Sequence, residues 1–215
     1  MLKLSNLKID PEFSAQILPL SFEELQQLEM NMIRDGKLTD PIIVWNKTIL
    51  DGHNRYNLLK KHSFIEYEIK EMEFSSHQEA LIWICNHQLG RRNLTPQQKK
   101  YLIGQRYKAE KQIHGGDRKS EQAKSSSQNG NLISPLKTCD RIAEETNTSK
   151  NYVIRAEHFS DGIDAAEEVL PGIKNDLLLG KYKPRETDVA AIAKAAPEER
   201  REKAEQLRVI PEKKP

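Results

Sequence analysis

Thiols are scarce in this chain: the 215 residues hold two cysteines, Cys85 and Cys139, far apart and without CxxC spacing or a histidine-rich neighbourhood. That scarcity excludes a disulfide framework and a cysteine-based zinc site, and it points to a reducing cytoplasm. Long hydrophobic runs are also missing. No stretch approaches the ~20 consecutive apolar residues of a membrane span, so no membrane partner is expected. Met1 to Asp10 lacks the basic-then-apolar order of a secretory signal. Aromatic residues make up 6% and hydrophobic residues 37%, against 31% charged. Such a balance suits thin, helix-rich domains with much exposed surface rather than one thick core.

Net charge is only +2, but its distribution is uneven. Between Arg91 and Lys124 stand ten Lys and Arg against three Asp and Glu, a net of +7. A concentration like that serves phosphate binding or forms a solvated helix face.

Apolar periodicity divides the chain. Residues 2–9 and 64–69 alternate like strands, and 41–45 and 48–50 form two short strands around an Asn46-Lys47 turn. Ser21 with Glu24 three residues on opens a helix that ends at Asp35-Gly36. Further helices are expected from His53 to Lys61, from His77 to Leu89, and from Thr95-Pro96 to Ile113. The segment 114–136 is rich in Gly, Ser and Asn and reads as a flexible linker. After it come helices at 140–145, Ser149 to about Phe159, 161–169, 173–179, 188–195 and 197–207. The expected fold class is therefore α+β: a small mixed sheet with helices over 1–113, then an all-α domain over 137–208 and a disordered tail at 209–215. Trp45 and Trp83 sit in apolar patterns and are expected to pack in the core.

The segment with most chemistry is Ile49-Leu-Asp-Gly-His-Asn-Arg-Tyr56. A strand ends, a glycine turns, and a helix begins while presenting Asp51, His53, Asn54 and Arg55. A helix N-terminus offers unpaired N–H groups and a positive dipole end, so it attracts anions. Arg55 can fork onto a phosphate, and Asp51 can hold Mg²⁺ or cap the helix. The same residues also make an ordinary structural turn, with Asp51 as cap and Arg55 in solvent.

With the helix that runs into Leu89-Gly-Arg-Arg-Asn-Leu-Thr-Pro96, this segment resembles the N-terminal domain of the ParB family of partition proteins. Gly52-His53-Asn54-Arg55 stands at that family's Gly-x-x-Arg segment. Gln88-Leu89-Gly90-Arg91, followed by Leu94-Thr95-Pro96, stands at its Asn-Leu-x-Arg segment and Leu-x-Pro helix start. The resemblance implies a site for CTP or another nucleoside triphosphate with Mg²⁺, with Gly52, Arg55 and Arg91 on the phosphate side; His53 and Asn54 of the same turn are assigned to that nucleotide site, and Asp51 to the metal. The chain departs from the family at Gly-His-Asn-Arg, where Gly-Glu-Arg-Arg is usual, and at His87-Gln88, where an acid and Asn are usual. Sulfiredoxin, in the same superfamily, needs a cysteine where His53 stands. A free-serine kinase of the superfamily carries Asp-Gly-His-His-Arg beside Asp51-Gly-His-Asn-Arg55. The alternative function is thus a nucleotide-dependent enzyme, serine-kinase-like or a nuclease, using this turn. No catalytic residue is assigned, and any nucleoside triphosphatase activity is expected to be slow.

Thr138 to His158 has the build of a helix-turn-helix, with Ile142, Ala143 and Val153 facing inward and Thr146-Asn147-Thr148 at the turn. Lys150, Asn151 and, one turn on, Ile154 or Arg155 would meet base edges of double-stranded DNA. Arg92, Lys99 and Lys100 of the basic segment would lie on phosphates. Together these readings give a sequence-specific DNA-binding protein of the ParB type, regulated by nucleotide and self-associating as a dimer, serving plasmid or mobile-element partition, maintenance or transcriptional control.

Overall fold

A computed structural model describes residues 2–115 and 137–208, with the side chains of 114 and 115 left aside. Most of the expected linker at 114–136, and the whole tail at 209–215, lie outside the described residues. The chain divides into two compact units, Met1–Asn93 and Leu94–Pro215. Among the described residues no helix is long and apolar enough to cross a membrane.

The first unit is built on a three-stranded sheet of order β2-β1-β3. Strand β1 (Ile42–Trp45) pairs antiparallel with β2 (Thr48–Asp51) and parallel with β3 (Ile69–Glu71). The β1–β2 turn is tight because Asn46 and Lys47 both take positive φ, 47° and 63°, which matches the twist of a two-residue hairpin. Helices α1 (Pro11–Ala15), α2 (Phe22–Asp35), α3 (His53–Lys61) and α4 (His77–Leu89) complete the unit. Ile42, Val44 and Ile49 of the sheet pack with Met32 of α2, Leu58 and Leu59 of α3, and Ile65. The start of α2 is a capping box: Ser21 accepts from the Glu24 amide at 3.2 Å, and Glu24 accepts from the Ser21 amide at 2.8 Å.

Two expected strands come out shorter or absent. Residues 2–9 form a 3₁₀ turn, Leu4–Asn6, and only Lys8 bridges the edge of β2 at Thr48. Leu2 and Leu4 pack against the core at the strand spacing of two, but Leu7 follows at a spacing of three. In 64–69 only Ile69 enters a strand, because a turn after His62 sends Ile65 into the core and leaves Phe64 63% exposed.

The second unit begins with α5 (Pro96–Gly115), capped by Thr95, which accepts from the Gln98 amide at 3.1 Å. Here the structure departs from the expected 1–113 domain, because α5 belongs to the helical unit. Tyr101, Leu102 and Ile103 are consecutive and fully buried, so this helix is covered on nearly all sides. Helices α6 (Thr138–Glu145), α7 (Lys150–Val169), α8 (Ile173–Leu178), α9 (Glu186–Lys194) and α10 (Pro197–Gln206) follow. The helices expected at 149–159 and 161–169 are one, α7, running through Asp161-Gly162 without a break. Gly162 is there for contact: a Cβ at that position would stand 2.0 Å from the Val189 carbonyl oxygen of α9. Gly104 of α5 plays the same part against α7, where a Cβ would meet the Ala156 oxygen at 2.1 Å.

Candidate functional site

The strand–turn–helix at Asp51 to Arg55 forms one wall of a cleft of about 270 Å³ in the first unit. Gly52 ends β2 with φ +97°, a left-handed conformation that side-chain-bearing residues rarely adopt. It is also the N-cap of α3, with no side-chain cap bond, so the first amides of α3 have no partner within the helix. Asp51 was expected either to cap this helix or to hold a metal, and the structure gives it another role. Its carboxylate accepts from Arg55 at 2.6 Å and from Gln88 Nε2 at 3.4 Å, while His87 Nε2 stands 3.9 Å away. The Asp51 side chain is 9% exposed and that of Arg55 19%, so the pair is largely buried. Arg55 also donates to the Pro41 carbonyl at 3.2 Å. The structure thus corrects the reading of Arg55 as solvated.

The opposite wall comes from Ile17, Leu20, Glu24 and Leu28, and Arg91 completes the lining. The cleft therefore brings together Gly52, His53, Asn54, Arg55 and Arg91, the residues singled out in the sequence. Arg91 is exposed at the rim. Crowding by the cleft lowers the pKa of its guanidinium below arginine's ordinary value, Asp51 opposes this, and the nearby Arg55 charge adds to it. The lining sets two guanidiniums, Arg55 and Arg91, beside two carboxylates, Asp51 and Glu24, and the Glu24 charge also supports that of Arg91. The two carboxylates of the lining are both engaged, Asp51 with Arg55 and Glu24 with the Ser21 amide. Neither stands ready as a general base. Among the described residues no three His, Cys, Asp or Glu side chains converge as a metal site.

Among the described residues, several buried polar atoms around Asp51 have no partner: both ring nitrogens of His53, Nε of Arg55 and Oε1 of Gln88. Buried polar groups are ordinarily hydrogen-bonded, so such a cluster marks where a ligand or water belongs. Burial pushes the His53 pKa below 6.5, although the Asp51 charge works the other way. The unfolded chain therefore takes up a proton below pH 6.5 that the folded chain refuses, and stability falls as pH drops through that window. The urea midpoint of the wild type is expected to fall more steeply from about pH 7 to pH 5 than that of His53→Gln. Parallel profiles would show that His53 does not titrate differently in the two states.

In the second unit, α6 and α7 are joined by a four-residue turn. Thr146 Oγ1 donates to the Ile142 carbonyl at 2.7 Å, and the Thr148 amide donates to the Ala143 carbonyl at 2.8 Å. Asn147 takes φ +51°, and Ser149 caps α7 by accepting from the Tyr152 amide at 3.2 Å. Ile142, Ala143 and Val153 are buried, as the pattern required. Lys150, Asn151, Arg155 and His158 are exposed, whereas Ile154 is half-buried. Asn151, Arg155 and His158 share one face at helical spacing. Lys150 lies 3.8 Å from Asp140.

The basic segment fares differently. Lys100, expected on phosphates, is buried and ion-paired with Glu186. Lys99 Nζ donates to the Thr146 carbonyl at 3.3 Å, inside its own unit. Arg106 is buried against Glu110 and Glu145. Lys108 pairs with Asp161 at 2.8 Å and Lys111 with Glu157 at 2.7 Å. Burial works against the Lys108 charge, yet the bond to Asp161 lifts its pKa above lysine's ordinary value, and the Glu157 bond lifts that of Lys111. The cluster's positive charge is matched by acids from α6, α7 and α9, which the local count from 91 to 124 did not include. Arg92 remains exposed. We expect Lys108→Gln and Lys111→Gln to leave the salt dependence of DNA affinity unchanged, measured by fluorescence anisotropy. Arg92→Gln should flatten the logarithmic slope by about 0.9. A flattened slope from Lys108→Gln would mean that its ion pair opens onto DNA.

No protein-family model and no curated protein matches the chain. Solved structures do. One form of the pNOB8-like ParB N-domain aligns over 96% of this chain and 91% of its own, with a TM-score of 0.55 and 18% identity. The fold is that of a ParB N-domain. A second structure of the pNOB8-like ParB N-domain aligns over 96% of this chain and 85% of its own, with a TM-score of 0.53 and 18% identity. A C-terminally truncated ParB from Caulobacter crescentus, complexed with CTP-γ-S, aligns at a TM-score of only 0.35 and 16% identity, too distant to carry an argument.

Proposed function

We propose that the chain is a sequence-specific DNA-binding protein of the ParB type, acting in the cytoplasm in plasmid or mobile-element partition, maintenance or transcriptional control. The observation that carries the reading is the first turns of α7, where Lys150, Asn151 and Arg155 stand exposed after a short, capped turn from α6. A second helix with exposed amide and guanidinium groups at its start has the chemistry of major-groove readout: Asn is suited to adenine and Arg to guanine. Self-association as a dimer belongs to the same reading, since two copies double the length of DNA read.

The cleft of the first unit would hold the phosphates of a nucleoside triphosphate. Its residues fit such an anion: the amides at the start of α3, the unpartnered His53 nitrogens and Arg55 Nε, and Arg91 at the rim. CTP, which the sequence resemblance implies, is the first ligand to test. Mg²⁺ would arrive with the triphosphate, because Arg55 already holds the Asp51 carboxylate. Bound nucleotide would supply a regulatory charge, and with Asp51 and Glu24 engaged its hydrolysis would be slow.

Selection of the full chain on random duplex DNA tests the central reading. An enriched motif of a few adjacent base pairs is expected, and no enrichment over the starting pool would remove it.

A further inference from the structure

Beneath the first turns of α7 lies a second cavity, of about 150 Å³, wholly within the second unit. Tyr152 and Phe159 of α7, Tyr182 ahead of α9, and Pro96 of α5 form its walls. Lys100 of α5 closes one side with only 4% of its side chain exposed. Its Nζ stands 4.8 Å from the centre of the Tyr152 ring and 5.7 Å from that of Phe159. Its counter-ion is Glu186, the first residue of α9, which is itself 55% exposed.

We propose that this cavity binds a small single-ring carboxylate, whose carboxylate group takes Lys100 over from Glu186. The volume sets the size, since an apolar cavity of about 150 Å³ accommodates one benzene ring. The walls set the body, because Tyr and Phe rings pack best against another flat ring. Lys100 sets the charge. An ammonium withdrawn from water needs an anion beside it, and here that anion sits on a mostly solvated side chain at a helix start. A ligand carboxylate would approach from within the cavity, while displaced Glu186 would regain full hydration. A cationic ligand is excluded, because Lys100 already occupies the place over the two rings where such a cation would sit. None of this rests on the nucleotide or DNA reading.

The test is titration of the full chain with benzoate, its neutral isostere benzamide, and benzylamine, followed by ligand-observed NMR. Benzoate is expected to bind, benzamide at least about tenfold more weakly, and benzylamine not at all. Glu186→Gln, which removes the competing carboxylate from an exposed position, should tighten benzoate several-fold. Lys100→Met should abolish binding with the helical circular dichroism retained. Three results would overturn the proposal: no benzoate binding at millimolar concentration, equal binding of benzamide, or unchanged or weaker binding to Glu186→Gln. The last variant keeps the test decisive if Lys100→Met does not fold.

Discussion

Gly104→Ala is expected to unfold the second unit. The added methyl would meet the Ala156 carbonyl oxygen at 2.1 Å and Ser160 Oγ at 2.6 Å. The first of these is backbone within α7, which cannot turn aside as a side-chain tip would. Ordinary overpacking costs about 1–3 kcal/mol, and forcing two helix backbones apart should cost more than that, a large share of a small domain's stability. Gly162→Ala should act alike at the α7–α9 crossing, where the Val189 oxygen stands 2.0 Å from the added Cβ. Urea unfolding followed by far-ultraviolet circular dichroism measures the loss. Both tryptophans, Trp45 and Trp83, lie in the first unit, so their fluorescence reports that unit by itself. A midpoint within error of wild type for either variant would mean the helices do not cross as closely as described.

Arg55→Ala should do two separate things. It removes the partner of a carboxylate that is only 9% exposed, and breaking such a pair costs about 3–5 kcal/mol because the remaining charge stays buried. It also removes a guanidinium from the cleft, so affinity for a triphosphate should vanish. Arg91→Ala separates the two effects. Arg91 is exposed, so its loss should spare stability while weakening the nucleotide. Denaturation and titration calorimetry with CTP and Mg²⁺ read the two quantities independently. Full stability in Arg55→Ala would show that the Asp51 pair contributes nothing. Unchanged CTP affinity in Arg91→Ala would place the phosphates elsewhere.

Much of the site was legible because its signals are local. Asp51-Gly52 announced a tight turn into a helix, Ser21 with Glu24 announced a capping box, and the Thr146 to Ser149 stretch announced the α6–α7 turn. Each depends on hydrogen bonds within four residues. What stayed hidden depends on distant partners. Lys100, Arg106, Lys108 and Lys111 read as a basic face until Glu186, Glu145, Asp161 and Glu157 fold onto them from later helices. The boundary between the units was hidden likewise, since α5 looks like a tail of the first part until its buried Tyr101-Leu102-Ile103 meets the helices after residue 137. The break expected after Phe159 is absent, and Gly162 just beyond it marks a helix crossing, which only the approach of α9 reveals. His53, polar by type, gave no hint of being 6% exposed with neither ring nitrogen partnered among the described residues.

The account stands or falls on base reading by α7, and affinity measured on a selected site and on a scrambled duplex tests it most directly. Asn151→Ala and Arg155→Ala are each expected to cost about 1–3 kcal/mol on the selected site and little on the scrambled one, collapsing the ratio between them. Equal losses on both duplexes, or none on either, would contradict base readout by this helix.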